Sequence, residues 1–237
     1  MQQPAFVLHR HHYGESSLLL EIFTRDFGRL GVIAKGARRA TSEYRSILSP
    51  FQPLLVNWAG KGDLATLTRA EAESQTYVLA GKLVFCGFYI NELILRLLHR
   101  HDPHERLFTI YKTALCNLQE EAACEAVLRI FEKRLLGELG YGLVLDREIE
   151  RGAPILADAT YLYILNRGPV IPRGADAEGI KLRGASLLAL ADETLTDSSV
   201  LQETKALLRA ALAQYTGGKP LKTRELFRNL KRAPAMS

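Results

Sequence analysis

Arg29-Leu30-Gly31-Val32-Ile33-Ala34-Lys35-Gly36-Ala37-Arg38-Arg39 places four basic residues and no acidic one in eleven positions, and its first half alternates. As a strand over residues 29–35 it sends Leu30, Val32 and Ala34 to one face and Arg29, Gly31, Ile33 and Lys35 to the other, because strand side chains alternate with period two. One face then suits a core and the other an anion. Gly36 permits a sharp exit, and Arg38 and Arg39 carry the charge into a polar loop. Taken alone, the pattern also describes an edge strand whose cations only keep it soluble.

On either side the chain reads as more short strands. Residues 6–10 and 17–23 precede the stretch, with Tyr13-Gly14-Glu15 and Asp26-Phe27-Gly28 as tight connections. After it, Ser49-Pro50-Phe51-Gln52-Pro53 fixes an extended entry into residues 54–58. Gly60-Lys61-Gly62-Asp63 is a hairpin loop leading to a fifth strand from 64 to about 73. Five short strands with a longer excursion between the third and fourth is the element order of an OB-fold barrel; an SH3-like barrel gives a similar string. Trp58 alternates with Leu54 and Val56, which favours a core position.

From about residue 78 the period becomes helical. Helices are expected over 79–100, where Glu92 and Arg96 form an i,i+4 pair, over 103–118, and over 121–139, where Cys124, Leu128, Phe131 and Leu135 make an apolar stripe. Residues 143–180 are irregular, with a strand at 160–165 and a turn at 166–169. Helices follow at 184–192, at 198–215 with Asp197 or Ser198 as N-cap, and at 223–231. The expected fold class is α+β. An N-terminal OB-fold β-barrel, residues 1–77, precedes a mainly α-helical C-terminal domain, residues 78–237, with a β-containing insertion at about 143–180.

The chain of 237 residues carries +5, unevenly distributed: residues 29–39 contribute +4, residues 217–237 another +5, and the remainder −4. Such concentration suggests a polyanionic partner. Three cysteines, Cys86, Cys116 and Cys124, fit buried free thiols in a reducing cytoplasm better than a disulfide framework. The N-terminus shows no signal-peptide pattern. The most apolar segment, residues 79–98, is interrupted by Lys82, Asn91, Glu92 and Arg96, which speaks for a buried helix and against a membrane span.

No phosphate-loop, dinucleotide-binding, zinc-protease or nucleophile-elbow motif occurs. His99, His101 and His104 with Asp102 read as groups near a helix end, and His9, His11 and His12 as a solvated or phosphate-facing strand end, so no metal is expected. The nucleic-acid candidates are Arg29, Lys35, Arg38, Arg39, Arg45, Lys61 and Arg69 in the barrel and Lys219, Lys222, Arg224 and Arg228 near the C-terminus. Cations track phosphates and aromatic rings stack on bases; Tyr44, within the polar loop, is the stacking candidate. In the third helix Arg129 and Lys133 border the apolar stripe beside Leu128, an arrangement suited to an acidic, apolar-ended peptide, although Glu125 can pair with Arg129. An RNA-binding OB protein and a phosphodiester-cleaving enzyme remain as alternatives.

Several segments together carry a family resemblance: Phe6-Val7-Leu8-His9-Arg10, Tyr13-Gly14-Glu15-Ser16-Ser17-Leu18, Ala34-Lys35-Gly36-Ala37-Arg38, Tyr89-Ile90-Asn91-Glu92-Leu93 and Gly217-Gly218-Lys219-Pro220-Leu221-Lys222-Thr223-Arg224-Glu225-Leu226-Phe227. In this order they resemble the RecO family of bacterial recombination mediators. The resemblance implies an OB-fold with a helical C-terminal domain, no cofactor and no catalytic activity. It implies binding of single- and double-stranded DNA, strand annealing, and cytoplasmic, nucleoid-associated work with RecR and single-stranded-DNA-binding protein to load RecA. The acidic tail of that binding protein is then the peptide expected at Arg129, Lys133 and Leu128. Some family members hold zinc through four C-terminal cysteines; none follows Cys124 here.

Overall fold

A computed structural model describes residues 2–60, 62–172, 178–217 and 220–226. Strands β1 (Gln3–Tyr13), β2 (Ser17–Thr24) and β3 (Gly28–Ala34) form a meander. A four-residue helix α1 (Tyr44–Ile47) leads to β4 (Pro53–Ala59) and β5 (Leu64–Ala72). The strands close in the order β1-β2-β3-β5-β4, with β1 returning to β4 and β3 running parallel to β5. That closure is the OB-fold arrangement and separates it from an SH3-like barrel. Leu30, Val32 and Ala34 enter the barrel core with Leu20, Ile22, Leu54 and Val56, as the alternation predicts.

Helices α2 (Lys82–Leu97) and α3 (Glu105–Asn117) follow. They pack on the outer wall of the barrel: the Phe6 and Phe23 rings meet Phe108 at 5.5 and 5.4 Å, and Tyr111 approaches Phe6 edge-on at 5.0 Å. Beneath these rings the Tyr111 hydroxyl donates to Asn91 Oδ1 (2.7 Å), and Asn91 Nδ2 donates to the Leu8 carbonyl (3.0 Å). Every polar atom of that buried trio used here has a partner, as burial demands. The connection between α2 and α3 lies so close to β3 that a Cβ on Gly28, at φ +66°, would stand 1.9 Å from the Asp102 carbonyl oxygen.

After a 3-10 turn, Glu121–Ala123, come α4 (Cys124–Glu138), β6 (Thr160–Ile164), β7 (Gly168–Val170), β8 (Ile180–Arg183), α5 (Gly184–Asp192) and α6 (Ser198–Tyr215). Asp197 caps α6 by accepting from the Ser199 and Val200 amides. The region expected to be irregular holds a three-stranded antiparallel sheet in the order β7-β6-β8. The turn expected at 166–169 is shorter, and Gly168-Pro169-Val170 is an edge strand, a place where proline is tolerated.

Packing divides the chain into two compact units, residues 1–121 with 221–237, and residues 122–220. The change from strands to helices near residue 77, expected as a domain boundary, lies inside the first unit. No helix among the described residues is long and apolar enough to cross a membrane.

Candidate nucleic-acid interface

Strand register sets the outer wall of the barrel. His9 pairs with Glu21, and Glu21 with Gly31; His11 pairs with Leu19, and Leu19 with Ile33. Paired residues share a face, so His9, His11, Leu19 and Ile33 form one surface only three strands wide, roughly 10 Å at the usual spacing. Leu19 and Ile33 are half-buried, His9, His11 and Tyr13 are exposed, and Lys35 follows directly on β3.

Glu21 is the acid in these rows, and two arginines occupy it. Arg100 from the α2–α3 connection binds Glu21 Oε1, and Arg29 Nη1 lies 3.5 Å from Oε2. Burial, ahead of the opposing pull of Glu21, holds the Arg29 guanidinium below its ordinary pKa, with Arg100 adding to the effect. It stays charged at neutral pH all the same. Arg29 therefore faces an acid on the wall, where the sequence alone suggests a phosphate contact.

The loop after β3 folds onto the β1–β2 turn. The Arg38 amide donates to the Ser16 carbonyl (2.8 Å), its guanidinium to the Gly14 carbonyl (3.2 Å), and the Gly36 amide to Ser17 Oγ (3.4 Å). Lys35, Arg38, Arg39 and Arg45 are exposed and form no ion pair among the described residues. Arg69 differs: its guanidinium is bound to Glu71 across one strand position. Tyr44 is half-buried against the barrel core, and its hydroxyl donates to the Thr68 carbonyl (3.4 Å), so its ring is committed to packing. Trp58 is half-buried as well, because a bulge between Asn57 and Trp58 breaks the alternation that Leu54 and Val56 begin. Lys61, Lys219 and Arg228 lie outside the described residues.

The C-terminal basic segment returns to this same unit. Leu221 is 3% exposed and Thr223 is buried. Glu92 on α2 accepts hydrogen bonds from the Lys222 amide (2.9 Å), the Thr223 amide (3.0 Å) and Thr223 Oγ1 (2.7 Å), while pairing with Arg96 at 2.7 Å. Burial alone would raise the Glu92 carboxyl; these bonds and Arg96 outweigh it and hold the group below its ordinary pKa. Arg224 lies 5.4 Å over the Tyr89 ring and donates to its hydroxyl at 2.9 Å. Lys222 stays exposed, close enough to His9 for its charge to act there. The His9 imidazole is held below its ordinary pKa by burial first, then by His11, stacked on it at 4.1 Å, and by Lys222. Two basic stretches from opposite ends of the chain thus belong to one unit.

Family models match both halves: Recombination protein O N terminal over residues 1–75 and Recombination protein O C terminal over residues 80–225. The chain belongs to the RecO family. A protein of Nitrosococcus oceani named DNA repair protein RecO is 48% identical to it over 97% of this chain and 94% of its own length. Proteins of the same name from Nitrosospira multiformis and Dechloromonas aromatica are 44% and 45% identical over 97% of this chain, and over 95% and 96% of theirs.

In the second RecO unit the peptide candidates are engaged. Arg129 is 4% exposed and donates to Glu132, itself fully buried, at 2.6 Å. Glu125, expected as a partner for Arg129, pairs instead with Lys205 at 3.1 Å. Lys133 donates to the Ala191 carbonyl (2.6 Å) and to Glu193 (3.1 Å), which Arg134 also binds. Leu128 is half-buried, with Val127 taking the deeper position in the stripe. Among the described residues no cluster of His, Cys, Asp and Glu is suited to a metal. Sequence reasoning missed the role of Glu92, whose partners lie about 130 positions away. It also missed the His9–His11–Leu19–Ile33 surface, which the period-two pattern of β1 to β3 could have assembled once their pairing was known.

Proposed function

We propose that this RecO-family protein is a recombinational DNA repair mediator. It binds single- and double-stranded DNA, anneals complementary strands and, with RecR, loads RecA onto DNA coated by single-stranded-DNA-binding protein. The observation that carries this reading is that the loop cations Lys35, Arg38 and Arg39 and the Glu92-anchored segment of Lys222 and Arg224, from opposite ends of the sequence, belong to one compact unit. Cations without acidic partners hold phosphates irrespective of sequence, which annealing requires. The half-buried Leu19 and Ile33 on the barrel wall offer an apolar floor to unpaired bases. The protein acts by holding strands, with no chemical step of its own, in the cytoplasm at the nucleoid.

The acidic tail of the binding protein is assigned to the second unit beside α4. There Lys133 and Arg134 converge on Glu193, so an acidic tail competes with Glu193 for both cations. The deciding experiment is annealing of complementary strands already coated with single-stranded-DNA-binding protein. Acceleration by this protein is expected; an unchanged rate overturns the reading.

A further inference from the structure

At the far end of β3 from Lys35, the barrel opens into a cleft of about 250 Å³. Its walls are aromatic. Phe27, in the β2–β3 turn, is 47% exposed, and its ring meets the half-buried Trp58 edge-on at 5.2 Å and 86°. Among the described residues its rim is made by Gly60 and Gly62 of the β4–β5 loop and Gly31 of β3, with exposed His101 beside them. Its floor is the barrel core at Leu30 and Ala65. The cleft depends on glycine at position 31: a Cβ there would stand 2.9 Å from the Asp63 carbonyl oxygen and 3.2 Å from the Arg100 guanidinium. Arg100 pins the loop by donating to that same carbonyl at 3.1 Å.

We propose that this cleft is a slot for one unstacked base of a single strand. The inference rests on the DNA-binding function proposed above and adds a subsite to it. Three features select the occupant. An edge-to-face aromatic pair leaves the open face of one ring free, and every base has a π-face to lay on it. The volume lies just under the roughly 300–1,000 Å³ of whole-ligand pockets, which suits a single planar ring better than a complete cofactor. The unit that holds it has nineteen basic and thirteen acidic residues, against twelve and thirteen in the other, so a polyanion concentrates on this side. The β4–β5 loop is moreover a loop through which OB-folds take oligonucleotides.

Trp58 is the sole tryptophan of the chain, so its fluorescence reports on this cleft alone. The full-length protein is titrated with oligothymidylate and with an abasic strand of equal length. Oligothymidylate is expected to quench Trp58 and the abasic strand to leave it unchanged. Phe27→Ala, at an exposed turn position, is expected to weaken binding of oligothymidylate by roughly five- to a hundredfold, the range for one stacked base, and to leave abasic binding intact. Equal binding of both strands with a silent Trp58 overturns the slot while the DNA-binding reading stands. So does a Phe27→Ala effect of the same size on both strands, or a Trp58 response to single-stranded-DNA-binding protein alone. Failure of either strand to bind at all overturns the DNA-binding reading and the slot with it.

Discussion

The two units both pair cations with acids, and they differ in where unpaired cations gather. In the second unit, cations face acids: Arg129 with Glu132, Lys133 and Arg134 with Glu193, Arg183 with Glu203, Lys205 with Glu125. In the first, the acid on the strand surface is cancelled by Arg29 and Arg100, while Lys35, Arg38, Arg39, Arg45 and Lys222 have no acidic partner among the described residues. Counting arginines does not separate these cases; the gathering of Lys35, Arg38, Arg39 and Arg45 in one short stretch does. A paired cation must first give up its acid to meet a polyanion, and an unpaired exposed one is available at once. The largest effect that follows is on stability. Arg129→Ala leaves Glu132 buried without its cation and is expected to cost about 3–5 kcal/mol, whereas Lys205→Ala, at an exposed pair, costs under about 1 kcal/mol. Urea unfolding followed by circular dichroism measures both, and near-equal midpoints for the two variants would remove the contrast.

The converse applies to the first unit. Lys35→Ala with Arg38→Ala is expected to leave the unfolding midpoint near its original value and to weaken single-stranded DNA of any sequence alike. If each cation holds one phosphate, the log–log salt slope falls by about 1.4, at roughly 0.7 per contact. An unchanged slope would return both residues to the solvated surface. Glu92→Ala tests the anchor. Losing three hydrogen bonds to a carboxylate is expected to free the segment from Leu221 onward, at about 2 kcal/mol, seen as faster proteolysis there and weaker DNA binding. Because the Glu92 pKa is depressed in the folded chain, its contribution is complete above the ordinary carboxylate pKa and is lost as pH falls through the depressed value. Attachment that persists in stronger acid than this would mean that Leu221 alone holds the segment.

Much of the barrel was legible because period two is local: Leu30, Val32 and Ala34 needed only one another to be read as a buried row. The helices from Lys82 to Asn117 and the Glu92–Arg96 pair were legible for the same reason. What was not legible depends on partners distant in sequence. Nothing near Arg29 shows that β2 brings Glu21 beside it, or that Arg100 arrives from a helix connection to share that acid. Tyr44 sits in a polar loop yet packs on the barrel, since α1 turns its ring inward. Arg129 borders the apolar stripe on a helical wheel, but α4 is covered by α5 and α6, so a border position there is interior. Leu226 is exposed, while Leu221 five positions earlier is buried.

The smallest effect concerns His9 on β1, beside the C-terminal basic segment. His9 lies beside His11 and feels Lys222, and burial with these neighbours holds its pKa below 6.5. At pH 7 it is therefore mostly neutral in the free protein. A phosphate beside it favours the imidazolium, so binding takes up a proton and affinity rises as pH falls. Because the free-protein pKa is depressed, most of that rise comes in acid below 6.5, and it levels off once His9 is charged before DNA arrives. The expected gain between pH 7 and pH 5.5 is several-fold, about 1 kcal/mol for one added charge-assisted contact, measured at constant ionic strength. His9→Gln keeps a hydrogen-bonding side chain and removes the titration, so it flattens the profile with little change at pH 7. If the profile survives that substitution, the proton is taken up elsewhere. The two basic stretches of the first unit would then act on DNA through Lys35, Arg38 and Lys222 alone.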